Sequence, residues 1–157
     1  CRNLNFTLEQ PCNTYAEIKS LKGRLNHPIF IDESATDIKM VSQSIHDNVA
    51  NGFGMKITRV GGLSNMISIR DICRDFNQPM TCEDSWGGDI IAAACVHMGA
   101  TMDPKLLEAV WISDNYIDGN YDEENPITAG GQIKVPIGPG LGVNPDTTKW
   151  MPIVTFD

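Results

Sequence analysis

The sequence predicts an α/β fold, an incomplete parallel (β/α) barrel, on three observations. Short β-type runs alternate with longer amphipathic segments along most of the chain. Each run ends on or beside an ionisable residue: Glu9, Asp32, Lys56, Asp84 and Asp114 follow one another at intervals of 23, 24, 28 and 30 residues, about one strand–helix unit each. Five units are too few to close an eight-stranded barrel, which takes roughly 250 residues. Periodicity alone also permits an open doubly wound sheet. The converging charges favour the barrel, because its strand ends all face one rim.

Taken in order, residues 4–8 form a short apolar-rich run leading into Glu9-Gln10-Pro11. A helix is expected over 14–25, with Thr14 as N-cap and Glu17 three residues on, the spacing of a reciprocal capping box. Residues 28–31 read as the second strand. A second helix over 36–49 carries Ile38, Val41, Ile45 and Val49 at close to a 3.6 period. The third strand covers 53–57, with Lys56 near its end. Gly61-Gly62 breaks the chain before a helix over 63–76. The fourth strand, 79–82, runs into Glu83-Asp84, and Gly87-Gly88 precedes an alanine-rich helix over 89–98. A fifth strand over 109–112 leads to Ser113-Asp114. Residues 1–113 are thus assigned to the barrel, and 114–157 to a Gly-, Pro-, Asn- and Asp-rich tail, irregular apart from a short alternating run at 132–135.

Bulk properties narrow the function. Lys plus Arg number 12 against 20 Asp plus Glu, a formal charge of -8, which disfavours a nucleic-acid or anionic-membrane binder. It leaves room for a small anionic substrate, since a local lysine and a bound cation reverse the field in one pocket. Five cysteines without a CxxC pair point to reduced thiols and a cytoplasmic setting. No apolar run is long enough to span a membrane, and no basic-then-apolar leader is present. An opening at Cys1 without Met fits a fragment or a processed chain.

Four segments resemble a known family: LEQPCNT at 8–14, IDES at 31–34, GFGMKITRVGGL at 52–63 and CEDSWGGDIIAAACVHMGAT at 82–101. In order, and at strand–helix spacing, they are similar to the mandelate racemase and muconate-lactonising branch of the enolase superfamily. Within it they look like the group acting on hydroxyproline and proline-betaine substrates. The resemblance implies the C-terminal half of a modified (β/α)7β TIM barrel, with the tail packing on the barrel and on an N-terminal capping domain outside this chain. It also implies Mg²⁺, with Glu9 and Asp32 as two of three ligands, and Lys56 as one of two acid–base lysines. The first metal aspartate and a Lys-x-Lys pair would precede Cys1, supplied by a parent or partner chain; a homo-oligomer is expected.

The chemistry agrees with that assignment. Removing the proton beside a carboxylate puts a second negative charge on the substrate, which a hard cation held by carboxylate oxygens stabilises. The same crowding of positive charge would lower the pKa of Lys56 and let it act as base. Loss of a β-hydroxyl then gives dehydration, as with cis-3-hydroxy-L-proline; reprotonation on the opposite face gives epimerisation, as with a 4-hydroxyproline betaine. Both remain open, as does an inactive half-barrel that binds a partner. Glu33 is expected to partner the Lys56 ammonium. Glu83, Asp84, Trp86, Asp114 and Tyr116 are expected at the substrate, with Trp86 and Asp84 receiving a secondary or quaternary ammonium. His27, His46 and His97 read as packing or surface residues, without zinc spacing. The glycine pairs form no GxGxxG dinucleotide fingerprint.

Overall fold

The structure is a computed structural model that describes residues 3–122, 126–149, 151, 153 and 154. Five parallel strands form one sheet in chain order: β1 (Leu8–Glu9), β2 (Ile29–Ile31), β3 (Gly52–Lys56), β4 (Met80–Glu83) and β5 (Leu107–Trp111). Helices fill the four crossovers: α1 (Tyr15–Ser20), α2 (Ile38–His46), α3 (Leu63–Asp75) and α4 (Gly88–Gly99). Every neighbouring pair is sequential and parallel, which is the winding of a barrel wall; a doubly wound sheet reverses its strand order midway. The expected incomplete (β/α) barrel is therefore what the chain builds.

Period-two alternation divides the residues of the sheet. Ile29, Ile31, Phe53, Met55, Met80 and Cys82 are buried in one core with Ile18 of α1, Val41 of α2, Met66 and Ile69 of α3 and Cys95 of α4. The alternate positions are Phe30, Gly52, Gly54, Lys56, Thr81 and Glu83, tied in register as Phe30 with Gly52, Gly54 with Thr81 and Lys56 with Glu83. A register shift between Met80 and Thr81 lets β5 carry one extra residue, so Met80 pairs with Leu107 but Thr81 pairs with Ala109. Such a bulge exchanges the two faces of a strand. It sends Leu107 to the core and brings Ala109 and Trp111 alongside Thr81 and Glu83.

Several boundaries differ from the sequence expectation. The capping box is present: Thr14 Oγ1 accepts from the Glu17 N–H at 3.3 Å, and Glu17 Oε2 accepts from the Thr14 N–H at 2.9 Å. Yet α1 stops at Ser20, just before the left-handed turn at Gly23 (φ 76°). Helix α2 begins two residues later than expected, on an Asp37 cap whose Oδ1 accepts from Met40 N–H at 2.8 Å. β1 is only Leu8–Glu9, since its ladder extends no further along β2.

In the tail the alternating run becomes a hairpin of β6 (Thr128–Ala129) and β7 (Gln132–Ile133), turning through Gly130 and Gly131 at φ 59° and 75°. Two successive positive φ values are what a tight hairpin turn requires, and glycine alone takes them without strain. Asp89, in the first turn of α4, accepts from the Tyr121 and Asp122 N–H groups at 2.6 and 3.0 Å. His97 Nε2 bonds the Leu141 carbonyl at 3.0 Å, so the tail is tied along α4. Among the described residues no helix is long and apolar enough to cross a membrane, and Cys12, Cys73, Cys82 and Cys95 are free thiols.

Two predictions follow from this packing. A Cβ on Gly52 would lie 2.3 Å from the Phe30 ring. Gly52→Ala is expected to destabilise the chain by about 1–3 kcal/mol in a denaturant titration, and Phe30→Leu combined with it should recover most of that loss. At the far edge, Asp47 Oδ2 accepts from Lys19 Nζ at 2.8 Å and from Tyr15 Oη at 2.7 Å. Lys19, then Tyr15, hold the Asp47 carboxyl well below its usual 3.8, while burial and Asp47 push the Tyr15 hydroxyl up to about 12. A depressed carboxyl stabilises the fold above its unfolded pKa and loses that contribution as pH falls toward the folded value. The difference in thermal midpoint between the parent and Asp47→Asn should be widest near neutrality and shrink steadily below pH 3.8.

Candidate active site

The ends of β1 to β4 bring Glu9, Asp32, Lys56 and Glu83 to one rim. Lys56 Nζ is the centre: it donates to Asp32 Oδ1 and Oδ2 at 2.8 and 2.6 Å and pairs with Glu83 Oε2 at 2.7 Å. Arg59, one turn beyond β3, adds a second cation. Its Nη1 donates to Asp32 Oδ1, its Nη2 to the Gly54 carbonyl at 2.5 Å and its Nε to the Ala35 carbonyl at 3.3 Å. Neither the Arg59 clamp nor the Thr81 hydroxyl, which donates to Glu83 Oε1 at 2.6 Å, is part of the sequence expectation. Gly54 makes the arrangement possible, because a Cβ there would press on Asp32 Cβ and Glu83 Oε1, each at 3.2 Å.

The Gln10 side chain sets the spacing between β1 and β2. Its Oε1 accepts from the Asp32 and Ser34 N–H groups at 3.1 and 3.2 Å, and its Nε2 donates to Ser34 Oγ at 2.7 Å and the Cys12 carbonyl at 2.9 Å. Gln10 does so from a left-handed backbone (φ 36°), a conformation that costs a non-glycine residue energy and is over-determined here by those bonds.

Electrostatics separate the two candidate carboxylate ligands. Asp32 is buried against two cations. Glu9 has its carboxyl raised, by burial first and then by the charges of Glu83 and Asp32, with Lys56 only partly offsetting them. For Lys56, burial works to lower the ammonium, but its hydrogen bonds to Asp32 and then Glu83 outweigh it and the net direction is up. Its neighbours within this chain are carboxylates, which hold its proton, whereas the lowering expected above is the effect of a bound cation. Among the described residues no group of three or more His, Cys, Asp or Glu side chains is disposed to hold a metal ion.

Other expected site residues fall into different places. Glu33 does not reach Lys56. It lies exposed in the turn after β2, where it borders an open cleft with Glu9, Gln10, Cys12 and Asn13, and Glu83 stands beside Lys56 instead. Asp84 borders the Lys56 cleft, yet its carboxylate is committed to its own rim. It is 6% exposed, its Oδ1 accepts from the Trp86 N–H at 3.0 Å and its Oδ2 from the Ser113 N–H and hydroxyl at 2.6 and 2.7 Å. Asp114 is turned away to the hairpin, accepting from the Thr128 N–H at 2.6 Å, and borders a separate groove along the β5 edge.

Trp86 and Tyr116 do meet, edge to face at 5.3 Å and 66°, over a cleft of about 110 Å³ that Lys56 and Glu83 also line. Trp111, absent from the sequence-level candidates, completes that wall: it pairs in register with Glu83 and is 60% exposed. Its distance from Glu83 in the sequence, close to that between Lys56 and Glu83, was the available signal.

The raised Glu9 makes a testable statement. A carboxyl raised on folding contributes stability that is present below its unfolded pKa, near 4.5, and is lost as pH rises through the folded value. In metal-free buffer Glu9→Gln is therefore expected to unfold at a higher temperature than the parent at pH 7, with the two converging below about pH 4.

Comparison with known proteins agrees with this architecture. The family model described as enolase C-terminal domain-like matches residues 2–149. The cis-3-hydroxy-L-proline dehydratase of Roseibium aggregatum is 32% identical over 143 residues, covering 91% of this chain and 39% of that protein. A mandelate racemase/muconate lactonizing enzyme from Roseovarius nubinhibens superimposes with a TM-score of 0.87 at 34% identity, over 93% of this chain and 40% of that one. An enolase-superfamily member from the same organism, complexed with magnesium, superimposes at 0.88 with 26% identity, over 92% and 40% of the two chains. The chain thus spans about 40% of the length of the relatives it matches. By family match and by fold, the chain belongs to the mandelate racemase and muconate lactonizing enzyme family of the enolase superfamily.

Proposed function

We propose that this chain carries one wall of an active site that removes the α-proton of a proline-like carboxylate, most directly cis-3-hydroxy-L-proline, and eliminates water from it. The observation that carries the reading is Lys56, held between Asp32 and Glu83 at the mouth of an aromatic cleft. Likeness to a cis-3-hydroxy-L-proline dehydratase supports the choice of substrate. Glu9 and Asp32 would hold Mg²⁺ as part of its shell, and the bound cation would supply positive charge against the substrate carboxylate. Glu83 and the rings of Trp86 and Trp111 would receive the ring ammonium through charge pairing and cation–π attraction.

Lys56 holds its proton through Asp32 and Glu83, so it must be freed before it can act as a base. A substrate ammonium that pairs with Glu83 removes one of those partners. Once the ammonium has released a proton to solvent, neutral Nζ takes the α-proton, and the C–H electron pair passes into the substrate as an ene-diolate. Collapse of that electron pair expels the β-hydroxyl with a proton as water, and the resulting enamine tautomerises to a cyclic imine. The three rings at the cleft, Trp86, Trp111 and Tyr116, favour one second reading: 2-epimerisation of a 4-hydroxyproline betaine, whose N-methylated ammonium needs a wider aromatic wall.

Proton NMR of the complete protein with Mg²⁺ in D₂O separates the two. Cis-3-hydroxy-L-proline is expected to lose its hydroxyl and yield the imine. Deuterium at the α-carbon of the betaine with a second diastereomer would reverse the ranking, and inertness toward both would favour a non-catalytic binding role. Lys56→Ala is expected to lower the rate of α-proton exchange by at least about 10²–10⁴-fold.

A further inference from the structure

The rim holds a residue that touches neither lysine nor cleft and yet governs both. Thr81 lies two residues before Glu83 on β4, on the same face, and its hydroxyl donates to Glu83 Oε1 at 2.6 Å. Glu83 Oε2 is the atom that meets Lys56 Nζ, at 2.7 Å. The two oxygens thus have separate partners, one fixed on the strand and one facing the site. Gly54, the register partner of Thr81, leaves the room that Glu83 Oε1 needs, since a Cβ there would lie 3.2 Å from that oxygen.

A glutamate with three rotatable bonds at a strand end has little else to select a rotamer. Glu83 is in register with Trp111, and among the described residues no hydrogen bond joins the two side chains. Without a donor at Thr81, both oxygens would be free to fork across Lys56 or to swing toward solvent. With it, Oε1 stays tied when Oε2 changes partner from Lys56 to an incoming cation.

We propose that Thr81 is a positioning residue: its hydroxyl locks Glu83 so that the single oxygen Oε2 faces Lys56 and the cleft, and thereby sets the preference for substrates bearing an ammonium beside the carboxylate. The selectivity half rests on the reading of the cleft given above; the locking half stands on the geometry alone.

Thr81→Val keeps the β-branched shape and removes the donor; Thr81→Ser keeps the donor. In the complete protein, crystal structures of the two variants should show the Glu83 carboxylate displaced from Lys56 or split between orientations in the first, and unmoved in the second. Competitive inhibition by L-proline should weaken roughly threefold to tenfold in Thr81→Val, the span expected for one lost hydrogen bond, while tetrahydrofuran-2-carboxylate, which lacks the nitrogen, is unchanged. Thr81→Ser should restore the parent ratio. An unmoved Glu83 in Thr81→Val overturns the proposal. A displaced Glu83 with an unchanged inhibition ratio removes the selectivity role. Failure of both compounds to bind the parent sinks the ammonium reading of the cleft, and the position of Glu83 in the Thr81→Val structure still decides whether Thr81 locks it.

Discussion

Strand alternation in a parallel sheet is the constraint on which the rest of this molecule depends. Each strand offers every second side chain to the helices, and in β2, β3 and β4 those positions are Ile29, Ile31, Phe53, Met55, Met80 and Cys82, all buried. The apolar requirement of one face leaves the other free to carry glycine, threonine, lysine and glutamate. Because neighbouring strands run in the same direction and in register, the polar residues at their ends collect at one rim. The site is the by-product of a core built on its reverse side.

The collected charges then have to be reconciled. Glu9, Asp32 and Glu83 bring three carboxylates to the rim, against the two cations Lys56 and Arg59. Asp32 takes both cations and Glu83 shares one. Glu9 is left with burial and like charge acting on it, the electrostatic condition in which a divalent cation or a protonated ligand is most favoured. The same carboxylates raise the Lys56 ammonium above its usual value, against the burial that would lower it.

Acidic residues in this chain serve two ends that look alike in a sequence. Asp84, Asp89 and Asp114 all stand near strand or helix ends, and all three accept from backbone N–H groups: Ser113 and Trp86, Tyr121 and Asp122, and Thr128. They fasten the loops and the tail around the rim. Glu9, Asp32 and Glu83 face the ionic cluster instead. Backbone N–H donors distinguish the first group, and confrontation with lysine and with one another distinguishes the second.

The sequence by itself determined the order of strands and helices, the capping box at Thr14, and the rim on which Glu9, Asp32 and Lys56 meet, because these follow from local periodicity and from spacing by whole strand–helix units. The family motifs within 8–14, 31–34 and 52–63 fall at those same strand ends. Tertiary structure alone decided which glutamate stands beside Lys56. Glu83 rather than the expected Glu33 stands there, because the β3–β4 register sets Glu83 opposite Lys56 while Glu33 lies in the turn after β2. It also decided Trp111: the bulge in β5 moves that ring to the face of Glu83, and a bulge is a property of the pairing between two strands, which neither strand encodes alone. The Thr81 and Arg59 contacts belong to the same class, because each joins a side chain to a carboxylate whose direction only the folded sheet establishes.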